Sequence, residues 1–175
     1  MAPSIDPSKI VWIKSIDRPN GPLWAYCCDD PAELHPQPRE PGDEFDLHWP
    51  NRLRANARGP KRDQIICLTQ ALHVTHLVQV MDDAPHDRPD EHCRPGSLDK
   101  RYAIARLVRA LVIRRKGLAP LYDQALGFTP RLQGGPCCQI EKLKRFRESR
   151  WPSKGGLAPF QEHLVRVLGA FAQAT

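Results

Sequence analysis

Short apolar runs of strand length occupy the first half of the chain, and apolar stripes at helical spacing occupy the end. "KIVWIKSI" (9–16) is β-branched and roughly alternating, which predicts a strand. "RPNGP" follows as a turn, then "LWAYCC" as a second short apolar run. Residues 29–43 carry prolines, glycines and many charges, the composition of a surface loop. "EFDLHW" (44–49) alternates as a strand would, and "PNRLRANARGPKRD" after it is a basic connection. "QIICLTQ" and "THLVQVM" read as an antiparallel pair joined through "ALHV", a connector with no Gly or Pro. That places His73 in the connector and His76 at the start of the second strand.

In "SLDKRYAIARLVRALVIRRKG", Ile104, Leu107, Val108, Leu111 and Val112 recur at helical spacing. Ser97 is a possible cap and Gly117 a possible stop, so periodicity favours a helix, although length alone also fits a long strand. "APLYDQALGF" and "IEKLKRFRES" read as short helices, and "FQEHLVRVLGAFAQ" as a longer one with Phe160, Leu164, Val167, Leu168 and Phe171 on one face. Strands early and helices late define an α+β chain. The expected arrangement is one domain over 1–175, a barrel-like core over 9–135 with a C-terminal helical extension over 136–175 packed on it.

At 175 residues and 41% hydrophobic, the chain can bury a core of its own. No apolar run approaches the ~20 residues needed to cross a bilayer, and the N-terminus lacks the order of a secretion signal. These features point to a cytoplasmic protein without a membrane partner. The formal charge is +6, with 26 Lys plus Arg against 20 acids. Basic residues cluster at "NRLRANARGPKR", "RRK" and "EKLKRFRESR", either as solvated surface or as a polyanion-binding face.

The six cysteines fall as Cys27-Cys28, Cys67, Cys93 and Cys137-Cys138, with no C-x-x-C pair, which argues for reduced thiols and against zinc. His73 and His76 lack a third ligand nearby, although His86, His92 and Cys93 stand in the following loop. We expect no metal and no cofactor. No nucleophile, phosphate-loop or metalloprotease motif occurs, so no catalytic residue is assigned. The acids of "DEFD" (43–46) and "DD" (82–83) are the candidates if the chain is a nuclease.

Among the four tryptophans, Trp24 follows a turn and Trp49 heads the basic loop. Indole faces beside cations could stack an extruded base while arginines hold phosphates. Trp12, inside the first strand, reads as core.

The order "WIKS", "WAYCC", "GDEFDLHWPNRLRAN" and "IICLTQ…THLVQVMDD" resembles the PUA-like superfamily, in its EVE and YTH branch. Lys14 and Ser15 match the Lys-Ser that ends the first strand in that branch, and "LWAYCC" is a loose counterpart of the YTH tryptophan segment. Trp49, Asn51, Arg52, Arg54, Ala55 and Asn56 resemble, in degraded form, the EVE loop of a tryptophan followed by Arg-Asn…Ala-Arg-Asn. The chain departs from the pattern at Ile16-Asp17-Arg18-Pro19 and at Arg62-Asp63. The resemblance implies a small mixed β-barrel flanked by helices, with "YAIARLVRALVI" as a barrel strand rather than a helix. It also implies a reader that flips a modified base of DNA or RNA into an aromatic pocket, in prokaryotes often within a defence or restriction system. The site it implies, together with the basic loop, comprises Lys14, Ser15, Trp24, Trp49, Asn51, Arg52, Arg54, Asn56 and Arg58. Two other readings stand beside it: a non-catalytic adaptor subunit of a larger nucleic-acid or defence complex, and a nuclease or other enzyme.

Overall fold

The structure, a computed structural model, describes residues 4–16, 26, 38, 40–87, 103–114, 117–132 and 135–170. Seven strands form one mixed sheet: β1 (Ile10–Ser15), β2 (Glu44–Trp49), β3 (Ile65–Gln70), β4 (His73–Val80), β5 (His86–Asp87), β6 (Ile104–Ile113) and β7 (Cys137–Gln139). Their order is β2-β6-β4-β3-β1-β7, with β5 paired to β6. β1 runs parallel to β3, and the other pairings are antiparallel. The helices are α1 (Arg54–Ala57), α2 (Tyr122–Ala125), α3 (Lys144–Arg147) and α4 (Leu157–Ala170). This is the expected α+β class. No helix among the described residues is long and apolar enough to cross a membrane.

The helical periodicity at 104–113 is overturned, because those residues form β6. β6 pairs with β2 on one edge and with β4 and β5 on the other, and its side chains are buried or half-buried on both faces, Leu111 in one core and Ile104, Val108 and Ala110 in the other. A strand buried on both faces needs apolar residues at nearly every position, and such a run matches a helical template by accident. Ser97 lies outside the described residues.

The "ALHV" connector is also shorter than expected. Gln70 pairs with His73, which leaves a two-residue turn of Ala71 (φ 46) and Leu72 (φ 68), and His73 already belongs to β4. Two left-handed residues are what a type I′ hairpin turn requires, here supplied without Gly or Asn. "IEKLKRFRES" is not one helix: Leu143 is extended (φ −67, ψ 128), splitting a 3₁₀ turn at Ile140–Lys142 from α3. The last helix begins at Leu157, three residues ahead of Phe160, after Gly155 and Gly156 in left-handed conformations.

The two faces of the sheet bury different cores. Ile10, Ile13, Ile65, Cys67, Leu77 and Leu111 pack against Phe146, Trp151 and the Phe160, Leu164, Leu168 stripe of α4. Trp12, Phe45, Leu47, Trp49, Ile66, Leu68, Val78, Val108 and Cys137 pack against one another on the other face. The sheet curls around this second core: Lys14 Nζ of β1 sits 4.7 Å from the ring centroid of Trp49, although β2 and β1 are four places apart in the strand order.

Candidate functional site

Strand alternation sends Lys14 into the curled interior with Trp12, while Ser15 shares a face with Ile13. The register agrees, pairing Lys14 with Leu68 and Ser15 with Thr69. The Lys-Ser pair is therefore divided between the two faces, and only Lys14 reaches Trp49.

Trp49, expected as the wall of an open pocket, is instead fully buried at 0% exposure. Its Nε1 donates to Asn56 Oδ1 (3.0 Å). Asn56 Oδ1 also accepts from Cys137 N (2.7 Å), and its Nδ2 donates to Cys137 O (2.8 Å). The amide thus pairs with β7 as another strand would, and links it through Trp49 to β2 at the opposite end of the sheet order. Asn56 is a clasp that closes the curl. Gly135 (φ +115) turns its carbonyl to accept from Lys14 Nζ, and its missing Cβ leaves room for Pro50.

Lys14 is 2% exposed, and among the described residues no carboxylate acts on its ammonium. Burial pushes its pKa down to about 8. The same burial raises the Cys137 thiol far above its ordinary value, so Cys137 stays protonated and offers no thiolate to offset the charge.

Asn51 lies at the surface, its Oδ1 accepting from Ala103 N (2.8 Å). Arg54 is tied to Asp87 in an exposed ion pair. Arg52 and Arg58 are exposed, with no carboxylate partner among the described residues. Trp24, Cys27, Cys28, His92 and Cys93 lie outside the described residues. The structure therefore gathers Lys14, Trp49 and Asn56 into one closed cluster, with the arginines displayed around it.

Arg106, which sequence reasoning passed over, has a larger structural role. It is fully buried, and its Nε donates to Asp82 Oδ1 (2.6 Å) and its Nη2 to Asp82 O (2.9 Å). Its Nη1 donates to Ala57 O (2.7 Å) and Pro60 O (2.8 Å), which fixes the end of α1 and the loop after it. Asp82 Oδ2 accepts from Leu107 N (2.9 Å). The one available signal was an arginine placed inside the apolar run "IARLVRALVI".

The acids considered for a nuclease are occupied otherwise. Asp82 holds Arg106, Glu44 pairs with Arg109 (2.7 Å), Asp46 with His86 (3.1 Å) and Asp83 with Arg62 (3.4 Å). Among the described residues, no group of three His, Cys, Asp or Glu could hold a metal ion. His73 and His76 do not converge. His73 Nδ1 lies 2.7 Å from Ala71 O, whereas His76 is buried with Nδ1 2.9 Å from Thr75 Oγ1. His76 Nε2 donates to Tyr26 O (3.2 Å), and burial lowers its pKa to about 4, so it is neutral. Tyr26 in turn packs on Phe45 and its hydroxyl accepts from His48 N (3.0 Å) on the outermost strand.

No family model, no curated protein and no solved structure matches this chain.

Proposed function

We propose that the protein is a nucleic-acid-binding module of the PUA-like, EVE/YTH type that holds a modified, flipped base, with the loop of Arg52, Arg54 and Arg58 on the phosphates. The observation that carries this reading is a concentration of unmatched positive charge. Among the described residues, a buried ammonium without a carboxylate, Lys14, lies behind the same loop that displays Arg52 and Arg58 without acidic partners. Charge left unmatched in this way suits a polyanion. The curled mixed sheet, with its parallel β1 and β3 and its strand at 104–113, is compatible with the expected barrel. Trp49 belongs to the framework in this reading, and the stacking surface for the base is assigned to Trp24.

Binding of labelled oligonucleotides, with and without methylated cytosine or adenine, tests the proposal. Tighter binding of at least one modified strand is expected. Changing Arg52, Arg54 and Arg58 to Ala should weaken all strands alike and flatten the salt dependence. Trp24→Ala should erase the preference for the modified base while sparing plain strands. Trp49→Ala should instead lower the melting temperature, and binding would fall only with the folded fraction. Absence of binding to any DNA or RNA at low salt would overturn the reading.

A second reading, a non-catalytic protein–protein adaptor, is favoured by one specific observation. Among the described residues, the large exposed apolar side chains are Leu72, Leu118 and Leu121. Leu72 and Leu121 are neighbours, since Tyr122 N donates to Leu72 O (2.9 Å) and His73 bridges Leu121. If this patch docks a protein, changing Leu72 and Leu121 to Ser abolishes that association and leaves oligonucleotide binding unchanged.

A further inference from the structure

The face of the sheet turned away from Trp49 carries a second set of cations. Trp151, at the turn before α4, is buried against Phe160, and its Nε1 donates to Leu126 O (2.6 Å). The Arg150 guanidinium lies 4.6 Å from the Trp151 ring centroid. The ring of His163 in α4 lies 5.0 Å from Trp151. His163 Nε2 donates to Gln124 O (3.0 Å), which leaves Nδ1 as an acceptor for Arg166 Nη2 at 3.2 Å. Cation, indole, imidazole and cation follow one another across this surface.

Charge around His163 is one-sided. Burial is the main cause holding its pKa below the ordinary value, and the hydrogen bond to Gln124 opposes this. The charges that act on it, Arg150, Arg166 and Lys154, all lower it further. Arg150, Lys154 and Arg166 are exposed, and none has a carboxylate within ion-pair distance among the described residues, whereas Lys144 and Arg145 share Glu148. Glu162, one turn before Arg166, is exposed and does not pair with it, and Asp123 Oδ1 accepts from Gln124 N. Three cations held near one neutral imidazole repel one another, and an anion between them would relieve that repulsion.

We propose that Arg150, Lys154 and Arg166, arranged around His163, form a second nucleic-acid contact that binds consecutive phosphates of a single strand. Three exposed cations on one surface, with no matching carboxylate among the described residues, suit the closely spaced charges of a phosphate backbone. Arg150 is preset by its stack on Trp151, so it loses less side-chain freedom on binding than a free arginine would. The inference does not depend on a base pocket, because the surface lies on the opposite side of the sheet from Arg52 and Arg58.

The test uses the full chain and a fluorescent single-stranded oligonucleotide, with affinity measured across a salt series. Changing Arg150, Lys154 and Arg166 together to Gln should weaken binding by roughly tenfold at low salt and reduce the salt slope by about 2, since each phosphate contact made releases ~0.7 counterion. A variant of Arg52 and Arg58 to Gln serves as the parallel arm. Loss in the triple variant alone upholds this inference and removes the loop from the function; loss in the loop variant alone overturns this inference and leaves the function standing. If the triple variant fails to fold, the intact protein still decides the matter: the His163 imidazole resonances must shift on titration with the oligonucleotide. Unmoved resonances would overturn the proposal. Equal competition by inorganic phosphate or by polyglutamate would also overturn it, by making the surface a small-anion or acidic-peptide site.

Discussion

On its helix-covered face, the sheet is held mainly by apolar contact, with buried Gln161 of α4 donating to Ile10 O (2.9 Å) as a polar tie across it. Phe160 is fully buried among Phe128, Phe146 and Trp151, with ring centroids 5.5 to 6.0 Å away. On its curled face, the apolar residues are interrupted by buried polar side chains, each of which joins segments far apart in the chain. Lys14 reaches Gly135, Asn56 joins Trp49 to Cys137, and Arg106 ties β6 to the loops at Ala57, Pro60 and Asp82. Apolar packing tolerates any side chain of similar volume, whereas a buried hydrogen-bond network demands particular atoms in particular places. The helix-covered face should therefore accept conservative change that the curled face rejects.

The largest effects set these two faces against each other. Phe160→Ala should cost about 3–5 kcal/mol, by loss of buried area and creation of a cavity. Arg106→Met should cost a similar amount, about 3–5 kcal/mol, because it strands the Asp82 carboxylate and two loop carbonyls. Rescue separates them. In urea unfolding, Phe160→Leu should recover most of the loss, while Arg106→Lys should not, since an ammonium cannot span Asp82 and both carbonyls. Equal rescue at both positions would abolish the contrast.

Acid should act through the curled face. The His76 pKa is 6.5 when unfolded and about 4 when folded, so between those values the unfolded chain binds the extra proton. Stability is then fully present above pH 6.5 and is lost as pH falls towards 4, by up to ~3 kcal/mol. Chemical denaturation at a series of pH values should show this slope, and His76→Gln should flatten it.

Lys14 works in the alkaline range with the same sign. Unfolded it holds its proton up to 10.5, whereas in the folded chain it releases it above about 8. The unfolded state binds more protons between those values, so this residue makes stability rise with pH across that window. Lys14→Met should remove the rise and stabilise the protein at pH 7 by about 1–3 kcal/mol, since replacing an uncompensated buried charge by an apolar chain is favourable. A destabilised Lys14→Met protein would show that the contacts to Trp49 and Gly135 outweigh desolvation.

The smallest effect lies outside both faces, at the β3–β4 turn. Replacing Ala71-Leu72 by Asn-Gly should stabilise the fold by ~1 kcal/mol, since both positions have positive φ. A change in melting temperature without a change in oligonucleotide affinity is the expected result.

The sequence by itself located strands near 9–16, 44–49, 64–70 and 75–81, the last of which the fold extends back to His73, and a late helix with Phe160, Leu164 and Leu168 inward. Those are local matters, since alternation, β-branching and helical spacing are written in neighbouring residues. Sequence also singled out Lys14, Trp49 and Asn56, which the fold does bring together. Only the tertiary structure decided what they do there. An indole reads the same in sequence whether it walls a pocket or fills a core, and Trp49 is enclosed because the sheet curls until β1 and β7 meet it. β6 was misread by periodicity for the same reason: what makes 104–113 a strand is pairing on both edges with segments distant in the chain. Arg106 was passed over because four of its five donors find acceptors in segments 24 to 49 residues away, and no local pattern records partners at that separation.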